Sequence, residues 1–136
     1  MPRTPLILAG LLGAGIIVIG LRFLISPETA ATNFGVPATG SGEASAYLAT
    51  KGVRDIASGL FGLLLLARGL YRTLGGFLLL AALIPIVDTV IVLNHGGSLP
   101  VALGIHGATA AALLGLGGWL LSQARDQPRH HAGGIG

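Results

Sequence analysis

The sequence lacks cysteine altogether and has few charged residues. With no cysteine among 136 residues, disulfide bonds, thiolate nucleophiles, iron–sulfur clusters and cysteine-rich zinc sites are excluded. Charged residues make up 10% of the chain, whereas about a quarter of the residues of a soluble domain are charged. The composition is therefore not that of a soluble domain.

Several motifs that identify common activities are missing too. The sequence has no glycine-rich phosphate loop, no HExxH motif, no EF-hand loop and no nucleophile elbow. The net charge of +3 is not arranged as a basic stripe with interleaved aromatic residues, so no nucleic-acid partner is predicted. No cofactor is predicted. Two histidines and two aspartates could ligate a transition metal, but Lys51 and Arg54 would oppose a cation and His130-His131 is a weak metal signal, so no metal is predicted either.

Apolar residues dominate what is present. They make up 52% of the chain, and the mean hydropathy is +0.82. A helix needs about 20 apolar residues to cross a bilayer, and four runs have that length. We predict an all-α, polytopic membrane four-helix bundle formed by one domain, residues 1–123, with the lipid bilayer as its partner. Its spans are residues 5–25, 44–67, 74–94 and 99–123, and residues 124–136 are predicted to be a disordered polar tail.

The distribution of arginine predicts the orientation. Four crossings place both termini on one side of the membrane. The basic residues outside the spans fall on that side, and the loops of residues 26–43 and 96–98 contain no Lys or Arg. The positive-inside rule then predicts an inner (plasma) membrane protein with both termini cytoplasmic. The basic residues counted are Arg3, Arg68, Arg72, Arg125 and Arg129.

The loop after the first span has the signals of a short interfacial helix. Ser26 can cap it, Pro27 suits its first turn, Glu28 suits its positive end and Gly35 can end it. The turn-rich residues 36–42 could fold over the outer mouth of the bundle as a lid, or form an ordinary surface loop.

Small residues at four-residue spacing predict close helix packing. Gly107, Ala111 and Gly115 form one such series, and Gly10 and Ala14 form another. These seams could close within one bundle or between subunits, so a homo-oligomer is left open.

Charged residues inside the apolar runs are the best indication of a functional site. A charge near the centre of a bilayer costs at least about 2.5–3.5 kcal/mol, so such residues pair, reach water or have a function. In the second span, polar residues recur at helical spacing and share one stripe that must face protein or water. They are Tyr47, Lys51, Arg54, Asp55 and Ser58.

Asp88 in the third span and His106 in the fourth lie at a similar predicted depth. Lys51 can pair with Asp55 along its own helix, which leaves Arg54 for Asp88, and a Lys51–Asp88 pair fits equally well. Histidine can exchange a proton near neutral pH.

We predict a pocket in the outer half of the bundle that binds a small amphipathic or lipophilic molecule, with cofactor-free acid–base catalysis as the form of any enzymatic activity. Isomerisation, cyclisation or hydration would suit it. Transport coupled to protons, a subunit role in a quinone-linked oxidoreductase, and a purely structural ion-pair network are the alternatives. The candidate catalytic residues are His106, Asp88 and Asp55, and the candidate substrate-binding residues are Arg54, Lys51, Tyr47, Arg22 and His95. For Arg22, snorkelling to lipid headgroups is an alternative, and for His95 a helix-capping or surface role.

Several motifs resemble a family of small four-span membrane proteins catalogued as a domain of unknown function. They include Phe34-Gly35-Val36-Pro37, the run from Lys51 to Ile56, Leu83-Ile84-Pro85 with Asp88, and His106-Gly107. The resemblance covers roughly residues 15–121. More distantly, the chain is similar to DoxX-like membrane proteins, four-helix bundles of which some are subunits of quinone-linked oxidoreductases. The resemblance implies the four-helix architecture and supplies no activity.

Overall fold

The computed structural model describes residues 1–38 and 42–125, and these residues form helices and turns without any β-strand. The chain is an all-α membrane bundle with a short extra helix after the first long one, as the sequence predicts. The helices are α1 (Arg3–Ile25), α2 (Pro27–Phe34), α3 (Gly42–Ala67), α4 (Tyr71–Ala81), α5 (Leu83–Asn94), α6 (Leu99–Val101), a π-helical segment (Ala102–Gly107) and α7 (Ala108–Arg125). Residues 126–136, most of the predicted tail, lie outside the described residues.

Three helical stretches are long and apolar enough to cross a membrane: Arg3–Ile25, Tyr71–Asn94 and Leu99–Ala124. The helix α3 is also long, at 26 residues, but it is less apolar because it carries Glu43, Lys51, Arg54 and Asp55. The charges that identify the candidate site are therefore the reason why α3 differs from the other long helices.

The helices α1 and α3 pack backbone against backbone through glycines. A Cβ atom on Gly20 would lie 2.5 Å from the carbonyl oxygen of Gly52, and one on Gly59 would lie 2.6 Å from that of Gly13. Side chains larger than hydrogen do not fit at these contacts.

The seams predicted from four-residue spacing are not the ones that close the bundle. Ala14 and Ala111 are exposed, and a Cβ on Gly115 would have no neighbour within 4 Å. Gly10 and Gly107 have only ordinary contact distances. Spacing alone predicts which residues share a face of a helix, but not which face meets another helix.

The third long helical stretch is interrupted at Ala82, between α4 and α5. Pro85 follows three residues later, and proline has no N–H to donate to the carbonyl of residue 81, so the regular hydrogen-bond ladder is lost there. Thr89 donates its hydroxyl to the carbonyl of Pro85 at 2.8 Å. The break lies next to the candidate site, since Ala81 and Pro85 both line the cavity described below.

The end of the bundle that holds the start of α1 is closed by a leucine-rich core. There α4 and α7 meet closely, because a Cβ on Gly75 would lie 2.9 Å from the carbonyl oxygen of Gly117. Leu74 and Leu120 are almost completely buried. The core cluster consists of Ala9, Leu65, Leu74, Leu78, Leu116 and Leu120.

The opposite end is covered by α2. Gly35 ends this helix with φ of 101°, a left-handed conformation that glycine adopts readily. The predicted boundaries of α2 are confirmed, although Ser26 makes no side-chain capping hydrogen bond. Residues 39–41 of the predicted lid segment lie outside the described residues, and its role as a lid stays a prediction.

Candidate functional site

A cavity of about 420 Å³ lies between the α1–α3 pair and the pair formed by α4–α5 with the π-helical segment and α7. We call it the chamber. Its lining is polar towards α2 and apolar towards the leucine-rich core. The polar lining residues are Arg22, Asn33, Lys51, Asp55, Ser58, Asp88, His106 and Thr109, and the apolar ones include Ala9, Leu12, Ile16, Phe23, Phe34, Leu74, Phe77, Leu78 and Leu113.

Lys51 and Asp55 form an ion pair at the chamber wall. The Nζ atom of Lys51 lies 2.7 Å from Oδ2 of Asp55, one helical turn along α3. Asp55 is only 7% exposed, so the ammonium group offsets much of the cost of burying its carboxylate. This is the pairing that the i, i+4 spacing predicts.

Two aromatic rings hold the same ammonium group. The Nζ atom of Lys51 lies 4.7 Å from the ring centroid of Phe23 and 5.1 Å from that of Phe34. Cations are attracted to ring faces within about 6 Å. Lys51 therefore has a carboxylate on one side and π-electron density on another, which fixes its position at the mouth of the chamber.

His106 links the chamber to α2. Its Nε2 atom lies 2.8 Å from the carbonyl oxygen of Phe34, and the two rings meet edge to face with centroids 4.4 Å apart. Its other nitrogen, Nδ1, lies 4.0 Å from Oδ2 of Asp88. The side chain of His106 is 8% exposed and that of Asp88 is 18% exposed. The two groups thus face each other at slightly more than hydrogen-bond distance.

The π-helical segment sets the position of His106. This segment has a wider turn than an α-helix, and such segments are frequent at functional sites. It follows Ser98, whose hydroxyl accepts a hydrogen bond from the N–H of Val101 at 3.4 Å. Thr89 of α5 contacts the carbonyl of Ala102 at 3.4 Å, which joins the segment to the helix that carries Asp88.

Arg22 lines the chamber and also a second, smaller cavity of about 330 Å³ between α1 and α2. Ser26 and Thr29 line that second cavity with apolar residues of α1. Arg22 is exposed, so it lies at the border between the chamber and the surface of the bundle.

Three of the predicted site residues lie away from the chamber. Arg54 is exposed and makes no ion pair within residues 1–38 and 42–125, so the predicted Arg54–Asp88 pairing is absent. Tyr47 is 79% exposed. His95 is exposed, and its Nδ1 atom lies 2.8 Å from the carbonyl of Ile91 in its own helix. The polar stripe predicted on α3, from residue 47 to residue 58, extends beyond the part of the helix that faces the chamber. Of its five residues, Lys51, Asp55 and Ser58 line the chamber.

Two residues at the site were missed at the sequence level. Phe23 and Phe34 contact the ammonium group of Lys51, and the carbonyl of Phe34 contacts His106 across 72 residues. The sequence places Phe34 directly before Gly35, which ends the short helix. It has no signal for the contact that the carbonyl of Phe34 makes with a distant residue.

Metal ligation has no support from the geometry. In the described part of the chain, His, Cys, Asp and Glu side chains do not gather in groups of three or more that could hold a metal ion.

The helices and the charged chamber define the class: a helical membrane protein with a polar cluster inside an apolar bundle. The chain matches the family described as Domain of unknown function (DUF4267) over residues 13–120 and belongs to that family. No curated protein matches the chain, and no solved structure does. The more distant similarity to DoxX-like proteins stays a prediction.

Proposed function

We propose that the chamber binds a small amphipathic or lipophilic molecule, with its polar end among Lys51, Asp55, Asp88 and His106. One observation carries the proposal: four titratable side chains from three separate helical stretches line one cavity whose remaining wall is apolar. Pockets for small molecules have this composition, a mainly apolar lining with a few converging polar groups. The size of the chamber, about 420 Å³, is within the usual range of about 300–1,000 Å³.

The alternative of a structural ion-pair network has less support. The Lys51–Asp55 pair lies within α3 and joins no two helices. The His106–Asp88 approach connects neighbouring segments at 4.0 Å, which is too long for a hydrogen bond. Polar groups that hold helices together in membranes do so through direct interhelical hydrogen bonds. His106 makes one such bond, to the backbone of α2, but the four ionisable groups make none with one another across helices.

Acid–base chemistry is the reaction type that these groups suit. His106 would accept and return a proton through Nδ1, with Asp88 beside it as orienting group or base. Lys51 would stabilise a developing oxyanion or enolate in surroundings of low dielectric constant, and Asp55 would hold Lys51 in place. The roles fit a cofactor-free isomerisation, cyclisation or hydration.

The topology that we propose has four spans, with α3 as the second. The charged residues of α3 lie at the chamber or near the ends of the helix, and not in the middle of its lipid-facing side. Arg54 is the exception, and its guanidinium can extend along the helix towards the headgroups. Arg3, Arg68 and Arg72 fall at the same end of the bundle. The positive-inside rule then favours cytoplasmic termini in the inner membrane, with the chamber in the outer half.

Transport is the less favoured function, because the chamber ends at the leucine-rich core. A transported solute or a proton would need polar groups or water at the level of Leu74 and Leu78, and the core cluster there is wholly apolar. A closed floor suits binding or chemistry better than conduction.

The test uses two glycines at which a Cβ atom has no neighbour within 4 Å, Gly15 and Gly118. Gly15 lines the chamber and Gly118 does not. The protein is purified from membranes in a mild detergent, and small molecules bound to it are extracted and identified by mass spectrometry. We expect a stoichiometric lipophilic molecule with the wild type and with Gly118→Trp, and its loss with Gly15→Trp. Equal occupancy of all three proteins, or of none, would contradict the proposal.

The catalytic part has its own readout in the same experiment. With Asp88→Asn, the bound molecule should be the unconverted substrate, which is an isomer of the wild-type product or differs from it by one water. An identical molecule in wild type and Asp88→Asn would leave binding in place and remove the assignment of Asp88 to catalysis.

A further inference from the structure

The two ring nitrogens of His106 have different partners. A carbonyl oxygen can only accept a hydrogen bond, so the 2.8 Å contact with Phe34 requires that Nε2 carries a proton and donates it. In the neutral ring, Nδ1 is then an acceptor. It faces Oδ2 of Asp88 at 4.0 Å, and a carboxylate is an acceptor as well. With Asp88 ionised, the mouth of the chamber presents two acceptors with no donor between them.

Two side-chain donors close to these acceptors already have partners of their own. The ammonium group of Lys51 donates to Asp55 at 2.7 Å and contacts the rings of Phe23 and Phe34. Thr89 donates to the carbonyl of Pro85. Asp88 accepts no hydrogen bond from any described side chain. A bound molecule that carries a hydrogen-bond donor would complement His106 Nδ1 and Asp88.

The charges around the mouth disfavour an ionic head. A cationic head would meet Lys51 and Arg22, and an anionic head would meet Asp55 and Asp88. Either ionic head would meet as many like charges as opposite ones, and it would lose its hydration in a medium of low dielectric constant. A neutral donor fits the two acceptors without these costs.

The apolar part of the chamber is long. Along α1 its lining runs from Phe23 down to Ala9, which is about 20 Å at the rise of an α-helix. Ile19 and Gly15 of this wall are exposed, and the cavity that they line is not closed off from the surface of the bundle. An elongated hydrocarbon fits this shape and can reach the chamber from the bilayer.

We infer that the ligand is an uncharged lipophilic alcohol or phenol whose hydroxyl group donates to His106 Nδ1 or Asp88, with its hydrocarbon part along α1. The inference rests on the proposed function and specifies the ligand of the same site. It also gives the hydroxyl proton an acceptor in the first step of the proposed acid–base chemistry.

Four probes of equal chain length separate the possible heads: dodecanol, dodecyl methyl ether, dodecylammonium and dodecanoate. Binding of each to the full-length protein in detergent is measured by native mass spectrometry titration. We expect dodecanol to bind best, and the ether at least about tenfold more weakly, since the ether cannot donate a hydrogen bond.

Variants of Asp88 and His106 test whether these two acceptors cause the preference for dodecanol over its ether. In Asp88→Leu the contact between His106 and Phe34 is kept, and the preference for dodecanol over its ether should fall to about threefold or less. His106→Phe keeps an aromatic ring against Phe34 and should lower the preference in the same way. Arg54→Gln, outside the chamber, is the matched control and should retain the full preference.

The outcomes separate this inference from the proposed function. If the ether binds as tightly as dodecanol, or if dodecylammonium or dodecanoate binds best, the inference is overturned. The proposed function still stands in that case, provided that Gly15→Trp abolishes the binding. If none of the four probes binds the wild type or displaces the molecule that purifies with it, the inference is overturned, and the proposed function is then decided by the loss or retention of that molecule in Gly15→Trp.

Discussion

The two ends of the bundle are built from different chemistry. At the end where α1 begins, Leu74 and Leu120 are almost completely buried and α4 meets α7 through Gly75 and Gly117. At the α2 end, the helices separate around a chamber, and Asp55 and His106 are the buried polar residues. One end gains van der Waals contacts between helices. The other gives up such contacts for a cavity with charged walls, which is where a ligand can bind.

Substitutions at two adjacent glycines of the packed end should give the largest effect in a comparison of the two ends. Gly75→Leu places a Cβ atom 2.9 Å from the carbonyl of Gly117, and we expect it to destabilise the protein by about 3 kcal/mol or more. Gly76→Leu meets nothing within 4 Å and has the same gain in helix propensity. Unfolding in SDS titrations should separate the two variants. Similar stabilities would show that α4 and α7 are not in close contact.

The next test compares buried and chamber-lining side chains. Leu120→Ala removes a fully buried side chain from the packed end, and the expected loss is about 2–3 kcal/mol. Ile105→Ala, at a position 48% exposed and in the chamber wall, should cost less than about 1 kcal/mol. The same SDS titration measures both. An equal loss would mean that the chamber wall is packed as tightly as the core.

A third test addresses the ion pair at the chamber end. Lys51→Met leaves the buried carboxylate of Asp55 without its partner, and we expect a loss of about 1–2 kcal/mol, because the side chain of Lys51 is 28% exposed and keeps some solvent screening. The double variant Lys51→Met, Asp55→Leu should regain most of that stability. A double-mutant cycle in SDS titrations provides the coupling energy, and a coupling near zero would argue against the pair.

The smallest effect is expected at Arg54, which is exposed outside the chamber. Arg54→Gln should change the free energy of unfolding by less than about 0.5 kcal/mol and leave ligand occupancy unchanged. A clear loss of the bound molecule in this variant would show that Arg54 belongs to the binding site, and that the site extends beyond the chamber.

The architecture was largely readable from the sequence, because apolar runs and helix-ending glycines are local signals. The short helix ends at Gly35 as its left-handed φ requires, and the Lys51–Asp55 pair follows from spacing within one helix. What could not be read depends on how helices face each other. Arg54 shares a broad stripe with Lys51 but not the chamber, and the glycines that bring α1 and α3 together were not the ones that spacing favoured.

The sequence could not predict every interruption of the regular helices, for a related reason. Pro85 signals an interruption in the third long stretch, but the π-helical segment around His106 contains no proline, and its two glycines do not by themselves predict a wide turn. The contacts on either side of it are tertiary, with Thr89 at Ala102 and with Gly75 at Gly117, and the sequence shows neither.

The π-helical segment also sets the angular phase of the fourth long helical stretch. Each residue added to a helix or removed from it rotates everything beyond by about 100°. Deleting one residue between Ala102 and Gly107 would therefore turn either the imidazole away from Asp88 or the Gly117 face away from Gly75. Relatives of this protein that lack the wide turn would need a compensating shift elsewhere in the helix to keep the chamber and the core in register.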